Sequence, residues 1–217
     1  MNFKLFLPFW NRLSALDQKI IVENSREILY EKDYLILSDE NYGFLIVKDG
    51  KFRVYIMNEG KEITLYRLYQ YDMCFLSTNC IFNSINFEVM LKTEEKSIAI
   101  WIPSNIYKNI MSKYVCVSNY TNELMANRFS EVMWLLNQVL YKKMDQRVAT
   151  FLLEELNYFE NNKLMITHEQ IANHLGSARE VISRLLNYFQ KEGIVKSSRG
   201  IITIIDKEKL MKVSNGN

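Results

Sequence analysis

Short apolar runs punctuate the first half of the chain and predict a β-rich region between about residues 28 and 102. The runs are rich in Val, Ile, Tyr and Phe, and turn signals such as Asp49-Gly50 separate them. Runs of this length and spacing are typical of an antiparallel sandwich or barrel. Upstream, residues 8–29 are expected to form short helices, with Ser14 as an N-cap. The predicted strands lie at 34–37, 44–50, 52–57, 62–68, 85–93 and 97–103.

A helical pattern replaces the strands after Pro103 and continues to about Lys143. Its apolar residues recur at intervals of 4, 3, 4 and 3, which is the a/d seam of a helix that pairs with a twin. The alternative is a helix buried on both sides within one subunit. A second apolar line, through Met133, Leu140 and Met144, is expected to pack on the chain's own domains. The seam consists of Met125, Phe129, Val132, Leu136 and Val139.

The last third of the chain predicts a helix, a tight turn, a second helix and a hairpin. Thr167 followed by Gln170 forms a capping-box pattern at the start of the first helix, and Gly176 ends it. Ser177 is predicted to cap the second helix, which spans about 178–191. This order of elements is that of a winged helix-turn-helix. A preceding helix is expected at 146–158, a short strand at 165–166 and the tip of the hairpin at 197–200.

The second helix carries the residue types that read base pairs. In such a motif the start of this helix enters the major groove, and its later apolar residues face the core. Arginine donates two hydrogen bonds to guanine, glutamate accepts one from cytosine, and serine adapts to either role. Residues 177–199 have a net charge of +3, against +2 for the whole chain. The candidate DNA contacts are Ser177, Arg179, Glu180, Ser183, Arg184 and Asn187 on the helix, with Lys196 and Arg199 on the wing for phosphates.

Composition limits the class of protein further. An apolar fraction of 48%, with only 2 Pro and 7 Gly in 217 residues, is that of a folded chain with a core. The three cysteines, Cys74, Cys80 and Cys116, form no disulfide pattern. Polar residues interrupt the apolar N-terminus, and no segment reaches the ~18 apolar residues of a membrane span. We therefore expect a soluble cytoplasmic protein with reduced thiols and no membrane partner.

Residues 167–206, THEQIANHLGSAREVISRLLNYFQKEGIVKSSRGIITIID, resemble the DNA-binding end of the Crp/Fnr family of bacterial transcription regulators. The resemblance extends over nearly the whole chain, and residues 47–68, VKDGKFRVYIMNEGKEITLYRL, are similar to the family's cyclic-nucleotide-binding-type β-roll. It implies an α+β fold with an N-terminal antiparallel, jelly-roll-like β-roll, a long dimerisation helix and a C-terminal winged helix-turn-helix. The implied domains are 1–115 for effector sensing, 116–144 for dimerisation and 145–217 for DNA binding.

The same resemblance implies a homodimer on a roughly palindromic stretch of double-stranded DNA, with RNA polymerase as a further partner. Glu180, Ser183 and Arg184 match the E-x-x-S-R pattern of the Fnr branch, which reads a TTGA-type half-site. Arg179 also matches the Arg-Glu pair that starts this helix in the Crp branch. We therefore expect TTGA-containing half-sites about two helical turns apart.

The family also implies an effector that alters DNA affinity, but the chain departs from the family at the effector site. Residues 68–88 contain no Gly, Arg or Lys to bind a cyclic phosphate, which counts against cyclic AMP. No Cys precedes Cys74, whereas an Fnr-type iron–sulfur cluster needs three cysteines near the N-terminus. The effector and any cofactor therefore stay unknown at this level.

Two other interpretations stay open, and a third is disfavoured. Cys74 and Cys80 lie where the family's ligand pocket would be, so they either sense oxidants, nitric oxide or a metal, or are simply buried thiols. A β-roll filled by aromatic side chains would be a scaffold, and the chain a constitutive DNA-binding or protein-interaction dimer. An enzyme is not expected, because no His or Lys near a cysteine in sequence would activate it and no phosphate-loop or metal motif occurs. The candidate filling residues are Phe75, Phe82 and Phe87.

Overall fold

The computed structural model describes residues 2–36, 43–75, 89–158 and 161–216 and divides the chain into two compact units. The first unit contains Met1–Ile56 and Leu65–Val132, and the second contains Met57–Thr64 and Met133–Asn217. Both units contain helices and antiparallel strands, which confirms the predicted α+β class. Among the described residues, no helix combines the length and apolar character needed to cross a bilayer.

Helices flank the strands of the first unit. Helix α1, Ala15–Asn24, begins as predicted at Ser14, whose Oγ accepts a hydrogen bond from the Asp17 backbone N–H at 3.1 Å. The 3-10 turns Phe3–Leu5 and Trp10–Arg12 precede it. The elements that follow, of which β4, β5 and α3 extend into the second unit, are β1 (Arg26–Tyr30), β2 (Leu35–Ile36), β3 (Gly43–Asp49), β4 (Phe52–Asn58), β5 (Lys61–Leu68), β6 (Met73–Phe75), β7 (Met90–Thr93), β8 (Ser97–Pro103), α2 (Ser104–Lys113) and α3 (Val115–Tyr141).

Two antiparallel sheets enclose the core of the first unit. Their strand orders are β1-β8-β3-β6 and β2-β7-β4-β5. Strands β3 and β8 are buried on both faces: Leu45 of β3 packs into the core between the sheets, whereas its neighbour Phe44 packs against Tyr107 of α2. The runs at 44–50 and 97–103 are therefore continuously apolar instead of alternating. Gly50 forms the predicted turn between β3 and β4 with φ of +87°.

The second unit folds around one apolar core. This core includes Val148 and Leu152 from the first helix of the unit and Leu210 from the last. The strands of the unit form an antiparallel sheet in the order β10-β11-β9. The elements are α4 (Met144–Glu155), a 3-10 turn (Leu156–Tyr158), β9 (Lys163–Leu164), α5 (His168–Leu175), α6 (Arg179–Lys191), β10 (Val195–Ser198), β11 (Ile201–Ile204) and α7 (Lys207–Asn215).

Some elements differ from the sequence predictions. Strand β1 (Arg26–Tyr30) pairs with β8, although residues 26–29 fall within the range predicted to be helical. The short strand lies at 163–164 and not at 165–166, because Leu164 pairs with Ile202 while Met165 is exposed. Neither the three-residue strand β6 nor the C-terminal helix α7 was predicted. Residue 37 and residues 85–88 of the predicted strands lie outside the described residues.

Helix α3 presents an apolar face that the described part of its own chain leaves uncovered. Phe129 is 67% exposed and Leu136 is 45% exposed, and Val139 is also exposed. Met125 and Val132, on the same line, are half-buried. The described residues of the chain therefore do not bury α3 on both sides. The predicted seam is accessible to a partner.

The second apolar line of α3 does not behave as predicted. Met133 and Leu140 were expected to pack on the chain's own domains, but Leu140 is 62% exposed and Met133 is exposed as well. Only Met144, which begins α4, packs against the core of the second unit. Helix α3 ends at Tyr141 and α4 begins at Met144, so Met144 belongs to a different helix from Met133 and Leu140.

Candidate nucleic-acid interface

Helix α5 begins at a capping box and ends at a left-handed glycine, as the sequence predicts. Thr167 Oγ1 accepts a hydrogen bond from the Gln170 backbone N–H at 3.2 Å, and the Gln170 side chain accepts one from the Thr167 N–H at 2.8 Å. Gly176 has a φ of +66°, which side chains with a Cβ rarely adopt. These two features fix the ends of α5 and the direction in which the chain enters α6.

The start of α6 differs from the prediction. The N-cap is Ala178, whose side chain makes no capping hydrogen bond, so the prediction that Ser177 caps this helix is wrong. The backbone N–H of Ser177 instead donates to the carbonyl oxygen of Ala172 at 2.9 Å and completes the end of α5. Ser177 is half-buried in the turn between the two helices.

Helix α6 separates apolar and polar residues between two faces. Ile182, Leu186 and Phe189 are fully buried in the core of the second unit. The opposite side, which we call the reading face, carries the predicted base contacts. Within the part of the chain that the structure describes, neither Arg184 nor Glu180 has a hydrogen bond or ion pair. The reading face consists of Arg179, Glu180, Arg184 and Asn187, which are exposed, and Ser183, which is half-buried.

The wing lies on the strand pair β10–β11. Lys196 and Arg199 are both exposed, and Gly200 forms the turn after Arg199 with φ of +74°. The wing is hydrogen-bonded to α6, because Gln190 Oε1 accepts a hydrogen bond from the Ser197 backbone N–H at 2.8 Å. The two cations that were predicted to bind phosphates therefore lie on a hairpin that is hydrogen-bonded to α6, the helix predicted to read bases.

His168 joins the same elements, and sequence reasoning missed it. Its Nδ1 lies 2.9 Å from Ser183 Oγ on α6, and its Nε2 lies 3.1 Å from Ser197 Oγ on β10. Burial, and secondarily the positive charge of Arg179, lower the pKa of His168. The sequence places His168 directly after the cap Thr167, which marks a helix start, but nothing local shows that its ring reaches two other elements.

Cys74, a predicted sensor residue, lies in the core between the two sheets of the first unit. It is buried on β6, and its Sγ lies 3.6 Å from Tyr66 Oη. Burial raises the pKa of the Cys74 thiol, which lowers the thiolate fraction at neutral pH. Its predicted partner Cys80 lies outside the described residues, whereas Cys116 is a half-buried free thiol. This environment favours the interpretation of Cys74 as a packed thiol.

Buried thiols react slowly, which gives the first test. A chain whose only thiol is Cys74, made by Cys80→Ser and Cys116→Ser, is expected to react with iodoacetamide at pH 8 at least about tenfold more slowly when folded than in urea. The control chain keeps only Cys116. Equal rates for folded and unfolded Cys74 would restore the thiol-sensor interpretation. Mass spectrometry of the alkylated chain measures both rates.

A cleft of about 500 Å³ opens beside β6 and α3 in the first unit. One lining residue is Arg128 of α3, whose Nη1 lies 2.9 Å from each carboxylate oxygen of Glu131 and whose Nη2 donates to the Met73 carbonyl at 3.2 Å. The guanidinium also stacks over the Tyr66 ring at 4.8 Å. The described lining residues are Tyr71, Asp72, Met73, Tyr120, Glu123, Leu124, Asn127, Arg128, Ser130 and Glu131.

The charges of this cleft bear on what it accepts. Asp72, Glu123 and Glu131 place three carboxylates against the single guanidinium of Arg128 among the described lining residues. Arg128 is already paired with Glu131, so it is not available to neutralise a ligand phosphate. The cleft therefore disfavours an anionic cyclic nucleotide, in agreement with residues 68–88. Its polar lining also counts against a roll that is only a filled scaffold, although Phe82 and Phe87 lie outside the described residues.

Comparisons with known proteins agree with the geometry of the second unit and with the whole fold. The Crp-like helix-turn-helix domain matches residues 146–213. A crystal structure from Eubacterium rectale, described as a transcriptional regulator of the Crp/Fnr family, is 50% identical in sequence, with a TM-score of 0.91. The match covers 97% of this chain and 99% of that one.

Curated relatives align over nearly the full length as well. The fumarate and nitrate reduction regulatory protein of Vibrio cholerae is 26% identical over 97% of this chain and 87% of its own length. Electron transport regulator A of Shewanella oneidensis is 24% identical over 95% of this chain and 85% of its own. The Eubacterium rectale structure and the helix-turn-helix match confirm the predicted architecture of β-roll, long helix and winged helix-turn-helix.

Proposed function

The chain belongs to the Crp/Fnr family of transcription regulators, and from that premise we propose that it is a homodimer that binds palindromic TTGA-type operators. The observation that carries this proposal is the reading face. Glu180, Ser183 and Arg184 are spaced i, i+3 and i+4, so they lie on one side of α6. Glu180 and Arg184 are exposed, and polar side chains on one outward side of a helix are what base reading requires.

The wing supplies the sequence-independent part of the binding. Lys196 and Arg199 are exposed cations on the hairpin beside α6, and cations in this position bind backbone phosphates. These contacts fix the register of the helix on the duplex without choosing a sequence. We assign 145–217 to DNA binding on this basis. Arg179 and Asn187 lie at the edges of the reading face, and Ser177 lies in the turn before it.

The seam of α3 supports the homodimer. Phe129, Leu136 and Val139 expose apolar surface in one chain, and a second copy of the same helix would cover it. Two copies related by a twofold axis present two reading faces, which matches a palindrome with half-sites about two helical turns apart. We assign 116–144 to dimerisation. DNA-bound dimers of this class would act on RNA polymerase in the cytoplasm, and the proposed role is regulatory, not enzymatic.

The first unit, with 1–115 assigned to sensing, supports regulation by a small molecule. The observation is the polar cleft beside Asp72 and Arg128, which a purely structural roll would not need. The carboxylates around it favour an uncharged or cationic effector over cyclic AMP. The burial of Cys74 places the thiol-sensor alternative second.

Operator selection from random double-stranded DNA tests the function directly. The chain is expected to enrich palindromes with TTGA-containing half-sites. Arg184 can donate two hydrogen bonds to a guanine, and Glu180 can accept one from a cytosine amino group. Sequencing the bound pool through successive rounds measures the enrichment. A pool that stays random, or that enriches half-sites unrelated to TTGA, would contradict the operator assignment. Selection at two salt concentrations separates specific from phosphate-driven binding.

A further inference from the structure

The imidazole of His168 contacts both elements that meet DNA in the proposed function. One ring nitrogen lies 2.9 Å from the hydroxyl of Ser183 on the reading face. The other lies 3.1 Å from the hydroxyl of Ser197 on the strand that carries Lys196. His168 is half-buried between them at the start of α5. No other side chain in the described residues hydrogen-bonds to the Ser183 hydroxyl.

Ser183 needs such a contact if it is to discriminate between bases. A free serine hydroxyl rotates, and it can donate to a base acceptor or accept from a base donor. It therefore tolerates several base pairs. A hydroxyl that donates its proton to a neighbour can only accept a hydrogen bond from a base, and one that accepts from a neighbour is held in one orientation, with its proton directed away from that neighbour.

A neutral imidazole can supply this commitment. It carries one N–H donor and one acceptor nitrogen, so its two serine contacts take opposite roles. Burial, together with the nearby Arg179 charge, lowers the pKa of His168 and keeps the ring neutral at neutral pH. If the ring donates to one of the two serine hydroxyls, it therefore accepts from the other.

We propose that His168 is a positioning residue for base reading, which orients the Ser183 hydroxyl and ties it to the wing through Ser197. This inference rests on the proposed function, because it assumes that Ser183 contacts a base. It adds a specificity-determining residue that lies outside the recognition helix. His168 itself need not touch a base to act in this way.

Two amide substitutions separate the two contacts. The amide of asparagine reaches about where Nδ1 lies, so His168→Asn can keep the Ser183 contact and lose the one to Ser197. The longer glutamine reaches about where Nε2 lies, so His168→Gln can keep Ser197 and lose Ser183. Each change retains a polar side chain at a half-buried position. Thermal unfolding of the variants checks that they fold.

The experiment measures the affinity of the full-length chain for a palindromic TTGA duplex and for every single-base change in its half-site. Ser183→Ala is expected to lose about fivefold of preference at one base pair. His168→Gln is expected to lose the same preference at the same base pair, and His168→Asn is expected to retain it. The matched control is Glu169→Gln, an exposed neighbour on α5, whose base preferences should equal those of the wild type.

Each outcome decides between the proposals. Loss of preference in Ser183→Ala with full preference in His168→Gln overturns the positioning role and leaves the proposed function intact. Loss of preference in both Ser183→Ala and His168→Gln, with the preference retained in His168→Asn, supports the positioning role. Equal losses in His168→Asn and His168→Gln, spread over all base pairs, overturn it in favour of a purely structural role. A wild-type chain that prefers no sequence overturns the proposed function and this inference with it.

Discussion

A Leu136→Glu chain is expected to be monomeric at micromolar concentration and to bind a two-half-site operator about 100-fold more weakly than the wild type, or worse. Leu136 lies in the exposed apolar seam of α3. In a twofold pair of helices each seam residue faces the partner helix near the axis, so one substitution brings two carboxylates into the same dry interface. Burying unpaired like charges costs several kcal/mol. Two separate monomers must then bind the two half-sites independently, without the high effective concentration that a dimer provides.

Light scattering coupled to size-exclusion chromatography measures the mass of the chain, and fluorescence anisotropy measures the affinity. Asn137→Glu is the matched control, because it adds the same charge one residue along on the exposed side of α3 away from the seam. The control should remain a dimer with wild-type affinity. A Leu136→Glu chain that still elutes as a dimer would contradict the assignment of this seam.

The second large effect is expected at the reading face. Arg184→Ala should lose roughly 1–3 kcal/mol of discrimination at the guanine that it reads, which is about 5- to 150-fold in preference. Arg184 is exposed and, among the described residues, makes no hydrogen bond or ion pair, so its loss should not destabilise the fold. Gel shifts with specific and scrambled duplexes measure the ratio of affinities.

Two further variants separate reading from charge. Arg184→Lys keeps the charge but not the planar fork, so we expect it to lose most of the same preference. Arg199→Ala, on the wing tip, should weaken binding to both duplexes alike and reduce the slope of affinity against salt by about 1. If Arg184→Ala left the ratio of specific to scrambled binding unchanged, Arg184 would not be a base contact.

Most of the fold follows from local patterns, and the exceptions have physical reasons. Capping at Ser14 and at Thr167, and the left-handed Gly176, depend on a few adjacent residues and were predictable. Strand β1 was mistaken for helix because only Tyr30 of its five residues is buried, so its sequence shows no clear alternation. Its strand state depends on pairing with β8, a tertiary contact.

The residues of the candidate interface could be predicted from the sequence, but the hydrogen bonds that connect its elements could not. The reading face follows from helical spacing, since Ile182 and Leu186 face inward and Arg184 outward. The role of His168 depends on the distance between α5, α6 and the wing, which spacing in sequence does not determine. The same limit applies to Arg128, because only the fold brings this residue of α3 beside the Met73 carbonyl.

The strand order of the first unit constrains how the protein can be made. Strand β8 lies between β1 and β3, and β7 lies between β2 and β4, so each sheet is completed by a strand that comes late in the sequence. During synthesis, β1 and one edge of β3 have no partner until Ser97–Pro103 has emerged from the ribosome. Such long-range pairings form slowly and leave apolar strand edges open to other nascent chains. Slower translation or lower growth temperature should therefore favour soluble protein by giving β8 time to insert.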